Sequence, residues 1–212
     1  MDEGVIQKID EEAKRYFEGA EPSHDWSHVQ RVYNMAIQIA EKEGGDLYII
    51  RLATLLHDIG RQKESENPEN LDHAQISVEY ASKILDEYEV DSDKKEQILH
   101  CISSHRFRIN KEPKSIEAKV LFDSDKLDSI GAIGIARAYS FVGEKKIKLY
   151  SNKNYLGNGY EKEHSAVTEF LFKLSKIKDR MLTETGRLIA LERHQYISDF
   201  FERLKKELGG EL

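Results

Sequence analysis

The sequence has little of several things, and each shortage narrows the choice of function. It contains one cysteine, Cys101, in 212 residues. That excludes an internal disulfide framework and fits a reducing compartment. No apolar run reaches the roughly 18–20 residues that a membrane-spanning helix needs. The opening stretch, MDEGVIQKIDEEAKRYF, is acidic and amphipathic, without the basic start and apolar middle of a signal peptide. A cytoplasmic location with no membrane partner is therefore expected. Basic charge is not in excess: 32 Lys and Arg stand against 39 Asp and Glu, a formal net charge of −7. Broad electrostatic binding to nucleic acid needs a basic face, so no nucleic-acid partner is expected. An anionic small molecule stays open as a substrate, because a bound metal supplies positive charge locally whatever the global sign. Oligomeric state is not legible.

Strand-like alternation, internal repeats, low-complexity tracts and a clear interdomain linker are also lacking. What is present is helical periodicity. Val5, Ile6, Ile9, Ala13, Tyr16 and Phe17 form one stripe, ended by Gly19 and Pro22. The spacing predicts a second helix from about Trp26 to Glu43, stopped by Gly44-Gly45, and a third capped by Asp46 and running to Gly60. The polar stretch RQKESENPEN reads as a loop. Asp72 and Asp91 cap helices reaching about Tyr88 and His105, and Ser115 caps a segment with Val120, Leu121 and Leu127. GAIGIARAYSF continues as helix, and the stretch from Gly143 to Glu161 is irregular. Two helices follow, about Ser165–Lys178 and Met181–Leu208, with Phe170, Leu174, Leu188, Ile197, Phe201 and Leu204 inward. An all-α, single-domain bundle is expected, with a core of about residues 22–140 and C-terminal helices 163–208 packed on it.

Six of the eight histidines lie between His24 and His105. In LATLLHDIG an apolar helix carries His57 and Asp58 side by side near its end. On an α-helix such neighbours point about 100° apart. A metal in a crevice beside the helix can still be reached by both, and mixed nitrogen and oxygen ligation suits Mn, Fe, Ni, Zn or Mg. A buried pair satisfying itself by hydrogen bonding is the other reading. In HDWSHVQRV, His24 and His28 are four apart and share one helix face if the helix starts early enough. In LFDSDKLDSIGAIGIAR, Asp123, Asp125 and Asp128 crowd an apolar segment, where three carboxylates repel one another unless a cation lies nearby. Asp25 reads as a helix cap, and His24 as either a residue orienting a ligand or a solvated helix start. His100, Cys101, His164 and His194 read as structural or exposed. Tyr139, Tyr150, Tyr155 and Tyr160 read as packing residues, with a lid over the site as the alternative.

The order His28, then His57-Asp58, then Asp125 resembles the H…HD…D signature of the HD superfamily of metal-dependent phosphohydrolases. HDWSHVQRV, LHDIGR, HAQISVEYASKIL, ISSHR, DSDKLDSIGAIGIAR and MLTETGRLIALERHQYISDFFERL together resemble its small stand-alone bacterial and archaeal branch, from about Pro22 to Leu208. The resemblance implies an HD-type helical fold with His28, His57, Asp58 and Asp125 as metal ligands. Asp125 is preferred to Asp123 because the following Lys126-Leu127 matches the family's distal aspartate. His73 and His105 fall where binuclear branches place extra histidines, and there the equivalent of Asp58 bridges two metals. Ser104 departs from the histidine doublet of some of those branches. His73 and His105 therefore stand either as ligands of a second metal or as contacts to substrate phosphate, with Arg61 as a further substrate-binding residue.

The resemblance implies a phosphohydrolase in which hydroxide held on a divalent metal attacks a phosphoester of a nucleotide or other small phosphorylated metabolite. Asp58 and Asp128 are the candidates to accept the water's proton, and Lys126 to neutralise phosphate charge. Three alternatives are carried: a cyclic or linear phosphodiesterase, a di-iron oxygenase of HD type completed by His73 and His105, and a non-catalytic, metal-stabilised binding module. The identity of the metal is not legible.

Overall fold

Aspartates open four of the helices. Asp25, Asp46, Asp72 and Asp91 each turn a carboxylate onto backbone N–H groups of the turn that follows. Those N–H groups have no partner inside their helix, so the side chain supplies one. The structure is a computed structural model that describes residues 3–66, 72–106, 112–150 and 165–212. Among the described residues there are ten α-helices and two short 3-10 segments, Pro22–His24 and Leu174–Arg180. The all-α fold class is as expected. No helix among the described residues is long and apolar enough to cross a membrane.

The chain divides into two compact units, residues 1–20 with 24–125 and residues 21–23 with 126–212. The first unit holds α1 (Glu3–Arg15), α2 (Trp26–Glu43), α3 (Leu47–Leu56), α4 (Arg61–Glu66), α5 (His73–Glu87), α6 (Ser92–Ser104) and most of α7 (Ile116–Leu127). Its core joins Ile6 and Ile9 of α1, Val29 and Val32 of α2, Leu52 and Leu56 of α3, Leu85 of α5, Ile98 and Ile102 of α6 and Leu121 of α7. These positions recur every three to four residues, so each helix turns one stripe inward. The helices end around the candidate residues. His28 lies in the first turn of α2, His57 and Asp58 just past α3, His73 at the start of α5, His105 just past α6, and Asp125 in the last turn of α7.

The second unit holds α8 (Gly131–Glu144), α9 (Ala166–Phe172) and α10 (Glu184–Leu208). Ile130, Val142, Leu174, Ile177, Ala190, Ile197 and Phe201 are buried, and Phe170 stacks on Phe201 at 4.5 Å. Gly131 adopts φ +77°, which a side chain rarely tolerates, and the Arg193 side chain packs where a Cβ would stand. Tyr139 packs edge-on to Phe200, and Tyr150 is exposed. Tyr155, Tyr160 and His164 lie outside the described residues.

Five expectations need correction. The helix expected to reach Gly60 ends at Leu56, and His57–Gly60 form a turn. Arg61–Glu66, read as loop from its polarity and nearby proline, is helical; Arg, Gln, Lys and Glu are strong helix formers when no apolar stripe is needed. Residues 67–71 lie outside the described part. The first C-terminal helix is split, because Lys173 leaves helical geometry (φ −126°, ψ −59°) between α9 and the 3-10 segment. Leu188, expected inward, is 61% exposed. His24 does not share a helix with His28, since Asp25 caps α2 and leaves His24 in the 3-10 turn, its ring 6.2 Å from that of His28.

Candidate metal centre

Asp58 sits at the middle of a ring of imidazoles. Its Oδ2 lies 3.6 Å from His28 Nε2 and 3.7 Å from His57 Nε2. Its Oδ1 lies 3.3 Å from His73 Nε2 and 3.6 Å from His105 Nε2. Asp125 Oδ1 approaches His28 Nε2 at 3.5 Å. Neighbouring imidazoles follow one another at ring separations of 5.5 Å for His28 and His57, 5.2 Å for His57 and His105, and 5.5 Å for His105 and His73. Two groups of three donors result, His28 with His57 and Asp125, and Asp58 with His73 and His105. Within each group the ligand atoms lie within 4.8 Å of one another, a spacing that could hold a metal ion.

Local structure sets which nitrogen each histidine presents. His57 Nδ1 donates to the Thr54 carbonyl at 2.7 Å, and His105 Nδ1 donates to the Ile102 carbonyl at 2.6 Å. A carbonyl only accepts, so Nδ1 carries the proton and Nε2 carries a lone pair. His73 Nδ1 faces the Glu64 carboxylate at 2.8 Å with the same consequence. Burial pushes the His57 imidazole down to about 4, so it is neutral at physiological pH. Its Nε2 is buried and has no hydrogen-bond partner among the described residues. A buried lone pair without a donor is costly for a purely structural histidine and suited to a cation. Burial also lowers His73, with the charge of Arg61 adding to the effect.

The Asp58 carboxyl feels opposing influences. Burial raises it, while the Arg61 guanidinium and the surrounding imidazoles outweigh burial and hold it well below the usual carboxylate range. Arg61 opens α4 and grips Asp58 through Nε to Oδ2 at 2.7 Å and Nη2 to Oδ1 at 3.3 Å. Gly60 closes the turn. Its N–H donates to Ser77 Oγ at 2.9 Å, and a Cβ there would stand 2.6–2.7 Å from the His73 carbonyl, Ile76 Cβ and Ser77 N. The glycine thus lets the turn carrying His57 and Asp58 lie against the turn carrying His73.

The structure brings together His28, His57, Asp58, Asp125, His73, His105 and Arg61, all in the first unit. Lys126 and Asp128 belong to the second unit. Lys126 is half-buried, and Asp128 accepts from Arg137 Nη1 at 3.0 Å while Arg137 Nε donates to the Ser23 carbonyl. Two residues escaped the sequence analysis. Glu64 lies in the polar stretch that reads as a loop, and nothing in that stretch marks it. Arg106 directly follows His105; its Nη1 donates to Glu64 Oε1 at 2.8 Å and to Asp72 Oδ2 at 2.6 Å. Asp123 is fully buried beside the favoured Asp125. Cys101 is buried too, and burial pushes its thiol up to about 12, so it offers no reactive thiolate.

Residues 25–130 match the HD domain family, a span that holds every residue of both donor groups. YpgQ of Bacillus subtilis is 38% identical over 191 residues, which is 88% of this chain and 85% of that protein. The crystal structure of an HD-superfamily hydrolase from Bacillus thuringiensis superposes with a TM-score of 0.76 at 32% identity, over 99% of each chain. The crystal structure of Bacillus subtilis YpgQ in complex with ADP gives the same TM-score, 0.76, at 31% identity, over 97% of this chain and 98% of that one. Helices ending on a His/Asp cluster, a family match spanning that cluster and whole-length likeness to an HD hydrolase agree: this chain belongs to the HD superfamily of metal-dependent phosphohydrolases.

Proposed function

We propose that this chain hydrolyses a phosphoester of a nucleotide or other small phosphorylated metabolite, using one or two divalent cations. The observation that carries this reading is the placement of Asp58, with one carboxylate oxygen toward His28 and His57 and the other toward His73 and His105. His28, His57, Asp58 and Asp125 would hold the first cation, and Asp58, His73 and His105 a second. Nitrogen and oxygen donors without thiolate suit Mn, Fe, Ni, Mg or Zn. Bound there, a divalent ion supplies a water of lowered pKa and a Lewis acid for a phosphoryl oxygen.

The protein's own groups do the rest. Neutral His57 offers a lone pair and no competing charge. Arg61, its side chain 25% exposed, can offer the part of its planar guanidinium not engaged by Asp58 to phosphate oxygens. Lys126 is assigned to phosphate charge and Asp128 to proton transfer, and its ion pair with Arg137 makes the second assignment the easier to test. The ADP held by the Bacillus subtilis relative supports a nucleotide as the substrate class.

The test is metal analysis of protein purified without chelator, followed by a panel of phosphomonoesters and cyclic and linear diesters run with each of the five metals. Turnover with at least one metal, lost on chelation and lost with the metal in Asp58→Ala, is the expected result. Normal turnover by folded Asp58→Ala would sink the proposal. Two irons per chain, oxygen-dependent turnover of an organic substrate and no hydrolysis would move the protein to the di-iron oxygenases. Bound metal with turnover of nothing in the panel would favour a binding module.

A further inference from the structure

His73 is held differently from His57 and His105. His57 and His105 stand just past the ends of their helices, and each hands its Nδ1–H to a carbonyl three residues back. His73 is the first residue of α5, so no turn of its own helix precedes it. A carboxylate from another element takes that place: Glu64 Oε2, on α4, lies 2.8 Å from His73 Nδ1. We infer that Glu64 is a positioning residue for the metal centre, committing the His73 imidazole to present Nε2 as a lone pair toward Asp58.

The surroundings of Glu64 support that role. Its second oxygen, Oε1, accepts from Arg106 Nη1 at 2.8 Å. The same nitrogen donates to Asp72 Oδ2 at 2.6 Å, while Asp72 Oδ1 caps α5 by accepting from Ala74 N–H at 2.9 Å. Glu64, Arg106 and Asp72 thus link α4, the end of α6 and the start of the helix that carries His73. Each carboxylate oxygen of Glu64 has its own donor, which leaves the side chain little freedom to rotate. An ionised carboxylate can only accept, so the proton between Glu64 and His73 stays on Nδ1. The lone pair at Nε2, 3.3 Å from Asp58 Oδ1, then faces the same space as that of His105. Carboxylate partners of ligating histidines fix the tautomer and raise ligand basicity, and their loss typically lowers metal affinity by about 10–100-fold.

The inference rests on the two-cation reading, and two measurements separate their fates. The first is long-range ¹H–¹⁵N correlation of the imidazoles in chelator-treated protein. His73 is expected as the Nδ1–H tautomer in the wild type, to lose that preference in Glu64→Ala, and to regain it in Glu64→Gln, whose amide oxygen can still accept. The second is calorimetric titration with Mn²⁺. The binding step that His73→Ala abolishes is expected to weaken about 10–100-fold in Glu64→Ala, with partial rescue by Glu64→Gln and no change in the other step. His73 protonated on Nε2 in the wild type would overturn the assignment of Glu64 alone. So would an unaltered titration of Glu64→Ala, or a uniform loss of both steps with no rescue by glutamine. A single wild-type step indifferent to His73→Ala would overturn the second cation position and, with it, the ligand role of His73.

Discussion

The backbone N–H of Gly60 donates to the Ser77 hydroxyl at 2.9 Å, and this contact seats the turn carrying His57 and Asp58 on the helix carrying His73. Both atoms are buried, so neither partner has water to fall back on. The approach is possible because residue 60 has no Cβ.

Gly60→Ala should therefore push the turn away from α5. A Cβ at 2.6–2.7 Å from backbone atoms of His73 and Ser77 has no flexible neighbour to displace. Overpacking of this kind costs about 1–3 kcal/mol, a fall in Tm of several degrees at this chain length. Metal affinity should fall with it, because Asp58 on that turn moves away from His73. Ser77→Ala, which strands the Gly60 N–H, should lose about 1–3 kcal/mol without the clash. Thermal unfolding of chelator-treated and metal-loaded protein measures both. An unshifted Tm in Gly60→Ala would contradict the geometry.

Two leucines in helices should differ sharply in their response to truncation. Leu52 is fully buried in the first unit, and Leu52→Ala should cost about 2–5 kcal/mol through lost burial and the cavity left behind. Leu188 is 61% exposed on α10, and Leu188→Ala should stay within about 0.5 kcal/mol of wild type. Urea denaturation of the two variants decides it, and a large loss in Leu188→Ala would mean that this face is covered in solution.

The neutral state of His57 should appear in the pH dependence of stability. Its folded value is pushed by burial to about 4, below the ordinary 6.5, so the unfolded chain takes up a proton first as pH falls. Stability of chelator-treated protein should thus decline from about pH 6.5 down to about pH 4. His57→Gln should flatten that part of the curve. Urea midpoints between pH 7.5 and 4 measure the slope, and equal slopes in the two proteins would refute the expectation.

The Asp128–Arg137 pair divides a structural role from a chemical one. Both side chains are largely buried, and Asp128→Ala would leave the guanidinium without its carboxylate. Breaking a buried pair from one side costs about 3–5 kcal/mol, so a marked loss of Tm is expected. Asp128→Asn keeps an acceptor for Arg137 and should largely restore stability. A variant with wild-type Tm and collapsed kcat would assign Asp128 to proton transfer; parallel recovery of Tm and kcat would assign it to the fold.

Much of the fold was legible because helices announce themselves locally. The Asp25, Asp46, Asp72 and Asp91 caps precede apolar stripes of helical period, and α2 begins and ends as the spacing predicts. The errors fall where local signals are weak or contested. RQKESE is polar and also helix-forming, and it packs as a helix against α5. Leu188 is apolar and exposed because a 25-residue helix, α10, has more leucine than its buried stripe can use.

His28, His57, Asp58 and Asp125 were named as candidate ligands by the resemblance to the HD superfamily, whose pattern is distinctive and selects Asp125 over Asp123. The sequence by itself determined most of the helices and their caps, and it marked these four residues as candidate donors. It could not say that one carboxylate would face four imidazoles, nor that Glu64 and Arg106 would join them. Those depend on contacts between residues far apart in the chain, and only the packing of α2 to α6 brings them together. Periodicity is a property of neighbours along the chain; a hydrogen bond from Arg106 to Glu64 is a property of where two helices stop.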